Sequence, residues 1–168
     1  FITAPENVAW LLNIRGHDNP NSPIPNCHLI INKKSGFCLI SYKNKVSKLI
    51  NEKKIKSNQI IEPKNFNKFI SNLKGKKIII DDNTCSIFFE NILKKKFKIM
   101  SIEDPIYSLK SLKNRTEINN MLNAHIFDGV ALTKFIYWIK NINKKIITEF
   151  EAQTKLESFR KKNKDNLY

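Results

Sequence analysis

Short apolar runs, separated by polar turn residues, dominate the first hundred positions of the chain. Runs rich in β-branched and aromatic residues predict strands, here at 7–15, 27–32, 36–42, 58–63, 76–81 and 97–100. A turn at 33–35 joins the second strand to the third. Two other stretches, 64–75 and 84–95, carry apolar residues at helical spacing. Gly75 is a predicted helix C-cap and Thr84 a predicted N-cap. Strands that alternate with helices indicate an α/β domain, with a mixed sheet and flanking helices.

The pattern changes after residue 101, and beyond Asn114 nothing is typical of a strand. Asn114 and Glu117 form a predicted capping box that opens a helix running to about Asn143. Thr148 and Glu151 repeat this signature and open a second helix, which ends in the polar stretch 160–166. Pro105 restricts the preceding residue to an extended path. The sequence therefore predicts a boundary near 101–110, with domains at 1–104 and 105–168.

The first of these two helices is apolar on all its faces in its second half. From Ile126 to Ile139 only Asp128, Thr133 and Lys134 are strongly polar. A helix that is apolar all round belongs inside a body of protein. The 25 residues that follow Asn143 form mostly one polar helix and are too few to surround it. We therefore expect a large exposed apolar patch, on a domain most of which lies outside this chain.

The formal net charge of +15 would ordinarily suggest nucleic acid. However, the chain has 27 Lys and only 3 Arg, beside 22 Asn and 26 Ile. Lys, Asn and Ile all have A/T-rich codons, so the base composition of the genome explains the lysines at least as well as a ligand does. Arg, the preferred residue for bidentate contacts to bases and phosphates, is nearly absent. Nucleic-acid binding is therefore not favoured.

Three cysteines at positions 27, 38 and 85 are too few and too scattered for a disulfide framework. They are typical of a reducing compartment, so we expect a cytoplasmic protein. The apolar runs, 78–80 among them, are all far shorter than the ~20 residues of a membrane span, and no membrane partner is expected.

Residues with potential chemistry are few. His125 lies on the apolar helix stripe from Ile118 to Ile139, and a lone histidine there is more often a packed core residue than a metal ligand. The carboxylates of Asp81 and Asp82 follow a predicted strand, in a position where carboxylates can bind metals. A solvated turn that caps the next helix is the favoured interpretation. His17 and Asp18 follow another predicted strand, on a loop rich in Gly, Pro and Asn. Binding residues often lie on such loops, although an ordinary turn is the favoured interpretation here too.

Three segments resemble one known family. The stretch NVAWLLNIRGHDNPNSPIP (7–25) is similar to the opening of the middle domain of long-form Xaa-Pro aminopeptidases, the aminopeptidase P family. KNRTEINNMLNAHIFDGVALTKFIYWI (113–139) resembles the start of their catalytic domain, and ITEFEAQTKLESFRKKN (147–163) the helix after it. The three matches occur in the family's order and spacing, and together they span nearly the whole chain.

This resemblance implies a creatinase-type α/β domain, followed by two helices that open a truncated pita-bread catalytic domain. It implies a parent enzyme that uses two divalent metal ions to remove the N-terminal residue from X-Pro peptides. We expect these ions to be manganese. A homodimer of the parent is expected. The family's metal ligands and catalytic residues lie beyond this segment, so the chain itself should contain no catalytic residue, bind no metal and be inactive alone. Arg15 and Asp18, in the first matching segment, are the candidates for residues facing the substrate cleft.

Two other function classes stay open at this point. The chain could be a non-catalytic creatinase-fold module that binds peptides, as some relatives of these enzymes do. It could instead be a basic RNA-associated α/β domain, which would bind oligonucleotides with a steep dependence on salt.

Overall fold

The computed structural model describes residues 1–34, 36–142 and 146–162. Residue 35 in the predicted turn, the predicted helix end at Asn143 and the end of the last polar stretch lie outside this range. The described helices and strands follow one another in this order: α1 (Pro5–Leu12), β1 (His28–Asn32), β2 (Gly36–Ile40), α2 (Ser47–Asn51), β3 (Ile60–Ile61), α3 (Phe66–Asn72), β4 (Lys77–Ile80), α4 (Ile87–Lys94), β5 (Lys98–Ser101), α5 (Pro105–Ser111), α6 (Arg115–Lys140) and α7 (Glu149–Lys161).

The chain forms two compact units, Phe1–Ser111 and Leu112–Tyr168. The first unit extends past residue 104, because α5 packs against α1 and buries Ile106. None of the helices in the described parts of the chain combines the length and apolarity that crossing a membrane would need.

A mixed three-stranded sheet forms the centre of the first unit. β1 and β2 are antiparallel, and β3 runs parallel to β2, which confirms the predicted mixed α/β architecture. Because side chains alternate between the faces of a strand, Leu29 and Leu39 enter one buried cluster beside α1. Ile30 and Ile40 enter a second cluster, which they share with α3, α4, β4 and β5. The sheet is therefore buried on both faces.

The last two strands do not continue this sheet, contrary to the sequence-based prediction. β4 and β5 pair in parallel with each other and form a separate ladder. The first residues of the chain lie between the two ladders. Ile2 exchanges both backbone hydrogen bonds with Leu29, at 2.8 and 2.9 Å, while the Phe1 nitrogen donates to the Ile79 oxygen at 2.7 Å. Residues 1 and 2 thus lie between β1 and β4, and these two strands do not pair with each other.

The predicted strand at 7–15 is wrong, because this stretch contains the helix α1. Pro5 lies in the first turn, where its missing N–H costs nothing and its fixed φ suits a helix. Val8 and Leu12 are one helical turn apart, and the helix ends where Asn13 adopts a left-handed φ of 49°. Val8 is buried, whereas Trp10 and Leu11 in the same run are 38% and 37% exposed, so only part of the apolar run faces the core.

Two predicted caps are also wrong. Helix α3 ends with Leu73 as its C-cap, two residues before Gly75, which has a φ of 147°. Helix α4 starts after Ser86, and the Thr84 hydroxyl instead bonds to the hydroxyl of Thr3 at 2.8 Å.

The second unit is a pair of helices that carries both predicted capping boxes. The Asn114 side chain accepts from the Glu117 N–H, and the Glu117 carboxylate accepts from the Asn114 N–H. Thr148 and Glu151 do the same for α7. The helices are joined by a bond from Arg160 to Asp128 at 2.7 Å. Both predicted helix starts are confirmed.

The predicted apolar patch on α6 is present, whereas the predicted packing of His125 is wrong in this chain. Among the described residues of α6 only Ala131 is fully buried. Large side chains remain exposed along the helix, with Leu122 59% and Ile126 63% accessible. His125 shares this exposed stripe, and its Nδ1 lies 2.8 Å from the Met121 oxygen of its own helix. Within the described residues of the unit the rest of this stripe also stays partly exposed, with Leu132 42% and Ile136 43% accessible.

Candidate functional site

The two candidate cleft residues lie on the connection from α1 to β1, residues 15–26, which we call the Arg15 loop. Buried residues anchor both of its ends, because Ile14 is 4% and Cys27 3% exposed. Inside the loop the Gly16 N–H donates to the Pro23 oxygen at 2.9 Å, and Asn19 forms a bridge with Ser22. The loop is therefore folded back on itself rather than extended.

Gly16 allows the two arms of the loop to meet. A Cβ atom built on Gly16 would lie 2.6 Å from the Pro25 Cβ and 2.7 Å from its Cα. The second of these is a backbone atom, so the contact cannot be relieved by rotating a side chain. Glycine is required here for close approach.

Both carboxylate oxygens of Asp18 are engaged. Oδ2 accepts from the Asn26 N–H at 2.7 Å, and Oδ1 accepts from the ammonium of Lys45, in the turn before α2. The side-chain hydrogen bond from Lys45, together with the backbone bond from Asn26, lowers the pKa of Asp18. Asp18 is therefore ionised at neutral pH and ties the Arg15 loop to the turn that carries Lys45.

Arg15 is exposed, and it donates one guanidinium hydrogen bond to the Ile14 oxygen at 2.9 Å. Within the described residues no carboxylate forms an ion pair with it. The structure thus places Arg15 and Asp18 on one loop but gives them different surroundings. Both Asp18 oxygens accept from protein donors, whereas the Arg15 guanidinium bonds only to the Ile14 oxygen among the described residues.

The solvated-turn interpretation of the pair at 81–82 is wrong for Asp81, which is 5% exposed, and right only for the exposed Asp82. One Asp81 oxygen accepts from the Asn83 N–H and the other from the Asp104 N–H, both at 2.9 Å. Asp104 in turn accepts from the Asn7 amide at 2.7 Å. These groups join the ends of β4 and β5 to α1.

Sequence reasoning missed the central members of this polar network and also missed Lys45. The Asp104–Pro105 pair is a helix-start signature, and the Asp104 carboxylate does accept from the Ile106 N–H at 2.9 Å. That signal could have identified Asp104 as a cap. No sequence signal separates Lys45 from the other lysines of the chain.

The described residues do not form a binding site for two metal ions. They contain no group of three or more His, Cys, Asp or Glu side chains close enough to hold an ion. A two-metal site needs several carboxylates converging on ions about 3.5–4 Å apart. We therefore assign no metal ligand to the described part of this chain.

Comparison with known proteins identifies the fold of the first unit. Residues 1–117 match the family model of the creatinase/prolidase N-terminal domain. No solved structure was found to match the chain.

Several full-length relatives match almost the entire chain. Xaa-Pro aminopeptidase 1 of Dictyostelium discoideum is 31% identical over 174 residues, covering 98% of this chain and 27% of that protein. Xaa-Pro aminopeptidase ApepP of Drosophila melanogaster is 29% identical over 95% of the chain and 27% of its own length. A probable Xaa-Pro aminopeptidase P of Paracoccidioides brasiliensis is 29% identical over 95% of the chain and 28% of its own.

The chain thus spans just over a quarter of the length of these relatives. The match to the family model covers all five strands and the Arg15 loop, and it ends just inside α6. The chain belongs to the creatinase/prolidase N-terminal domain family.

Proposed function

We propose that this chain is part of a metal-dependent exopeptidase that removes the N-terminal residue from X-Pro peptides. The observation that carries this proposal is the extent of the similarity. The family model ends at residue 117, whereas the Xaa-Pro aminopeptidases match 95–98% of the chain. The similarity therefore runs on through α6 and α7, outside the N-terminal domain.

The surface of α6 supports a larger catalytic domain in the parent protein. A helix with apolar residues on every face is stable when other elements surround it, and large exposed apolar patches usually mark a contact surface. In the described residues α7 covers only part of α6. We infer that α6 and α7 open a pita-bread domain, and that the rest of this domain supplies the missing cover.

The metal ions of the proposed reaction would be two divalent cations, manganese by our expectation, bound outside the described residues of this chain. Such ions supply an activated water and stabilise charge on the attacked carbonyl. The first unit would contribute binding and positioning rather than catalysis. We also propose a cytoplasmic homodimer; the three free thiols support the reducing compartment, while the dimer rests on the family resemblance.

The metal dependence of the parent tests the proposal. Parent protein stripped with a chelator should lose hydrolysis of an X-Pro dipeptide and regain it with Mn²⁺. A matched X-Ala dipeptide should remain intact in every condition. A parent that binds the X-Pro peptide without cleaving it, at any metal concentration, would instead favour a non-catalytic peptide-binding module.

A further inference from the structure

The bond between Lys45 and Asp18 joins two loops that are distant in sequence. The backbone of Lys45 is fixed by its own turn, because its N–H donates to the Tyr42 oxygen at 3.1 Å and to the Asn44 side chain at 2.9 Å. The next residue, Val46, is 6% exposed and belongs to the buried cluster beside α1. The ammonium of Lys45 therefore extends from a rigid base.

Asp18 transmits this rigidity to the Arg15 loop. One of its oxygens binds Lys45, while the other binds the Asn26 N–H at the far end of the loop. The Asp18 side chain is only 15% exposed, against 46% for Lys45. With both oxygens occupied and little surface left, Asp18 is poorly placed to take a ligand of its own. It is well placed to hold the loop.

We propose that Lys45 is a positioning residue of the parent enzyme: through Asp18 it holds the Arg15 loop so that Arg15 can bind the oxygens of a peptide substrate. This inference rests on the proposed function. In this proposal Asp18 acts through the loop rather than by touching the substrate.

Charge indicates which part of the substrate Arg15 meets. The N-terminal end of an aminopeptidase substrate is an ammonium, which repels a guanidinium. Carbonyl and carboxylate oxygens, by contrast, are what the planar guanidinium donors bind best. Arg15 therefore serves the part of the peptide that begins at proline, whose carbonyl or terminal carboxylate accepts from it.

A set of variants in the full-length parent tests this role. Arg15→Ala should raise KM for an X-Pro peptide about tenfold, as expected for the loss of one charge-assisted hydrogen bond, with a smaller change in kcat. Lys45→Met should raise KM in the same direction, by up to about fivefold, the usual upper limit for an exposed ion pair. Lys45→Arg, which keeps a donor to Asp18, should restore most of the wild-type KM. Lys48→Met is the matched control, because this nearby exposed lysine makes no ion pair among the described residues, and it should leave KM unchanged.

The decisive comparison is the double variant. If Lys45 acts through Arg15, adding Lys45→Met to Arg15→Ala should raise KM no further, because the two effects share one path. A general loss of stability would instead add to the effect of Arg15→Ala. Additive effects, or a Lys45→Met variant with wild-type KM, would overturn the proposal.

Amide exchange in the 168-residue chain tests the same link without catalysis. In Lys45→Met the amides of Gly16 and Asn26 should exchange up to about fivefold faster, since local opening of the loop no longer breaks the Lys45 bond. Buried amides of β1 should be unaffected. Unchanged exchange in the loop would overturn the positioning role. A parent that fails to cleave X-Pro peptides would overturn the proposed function separately, and the exchange result would still decide whether Lys45 holds the loop.

Discussion

Single residues in the Arg15 loop determine whether it can fold back on itself. Gly16 is necessary because the backbone of Pro25 occupies the space that a side chain would need. A Cβ built on Gly16 would lie 2.7 Å from the Pro25 Cα. The sequence pattern placed Gly16 in a loop but could not show which atoms it approaches, since that contact depends on how the loop folds back. The same limit applies to Lys45 and Asp18, whose bond joins residues 27 positions apart.

Replacement of Gly16 by alanine should destabilise the chain. The added methyl must displace the Pro25 backbone, so the free energy of unfolding should fall by about 1–3 kcal/mol, the usual range for overpacking. Gly129→Ala is the matched control, because a Cβ there meets nothing within 4 Å and lies inside α6. That variant should gain helix stability, by up to about 1 kcal/mol. Urea unfolding measures both, and an unchanged or raised stability for Gly16→Ala would contradict the close contact.

His28 should make the chain less stable in mild acid. Its ring packs against Phe89 and Phe1, with centroids at 4.8 and 5.9 Å, and its Nδ1 lies 3.1 Å from the Thr3 oxygen. Burial lowers the pKa of His28, although the Thr3 bond partly opposes this. As the pH falls below about 6.5, the unfolded chain takes up the proton first, so stability declines by at most ~1.4 kcal/mol per pH unit.

Urea unfolding at pH 7.5 and 5.5 measures this decline. His28→Phe should reduce the difference in stability between the two pH values, since the ring no longer titrates. His17→Phe, at an exposed histidine, should preserve the difference. An equal difference in wild type and His28→Phe would show that His28 does not carry the pH dependence.

At the scale of elements, local signals predicted the helix starts that depend on neighbouring residues alone. The capping boxes at Asn114 and Thr148 formed as expected, because each uses two residues three positions apart. The stretch 7–15 contains a helix instead of the predicted strand, since a short apolar run is ambiguous between strand and helix. Pro5 and Glu6 at its start carried the correct signal. Thr84 failed as a cap because a contact with Thr3, distant in sequence, engages its hydroxyl.

The exposed face of α6 should drive self-association of the 168-residue chain. The double change Leu122→Glu with Ile126→Lys removes two exposed apolar side chains and adds a favourable ion pair one turn apart. Sedimentation velocity should show a shift toward monomer, with helix content unchanged by circular dichroism. The matched control, Ile87→Glu with Leu109→Lys, removes exposed apolar residues outside α6 and should leave the association in place. Equal effects of the two pairs would contradict a specific role of α6.

At the scale of the whole molecule, the sequence predicted the α/β class, the mixed sheet and the pair of helices after it. It could not predict how the strands divide between two ladders, because the short segment at Phe1 and Ile2 pairs with residues far along the chain. The function proposed at this scale rests on the family match and on relatives that are nearly four times as long as the chain.

The central claim is that the parent cleaves the bond before proline and that this chain alone does not. Mass spectrometry of one peptide pair, X-Pro-Ala-Ala and X-Ala-Ala-Ala, tests it most directly, with Mn²⁺ present and the parent and the 168-residue chain run in parallel. The parent should release a single residue from the X-Pro peptide and leave the other peptide intact, while the chain should leave both intact. Metal-dependent cleavage by the chain, or an intact X-Pro peptide after incubation with the parent, would contradict the claim.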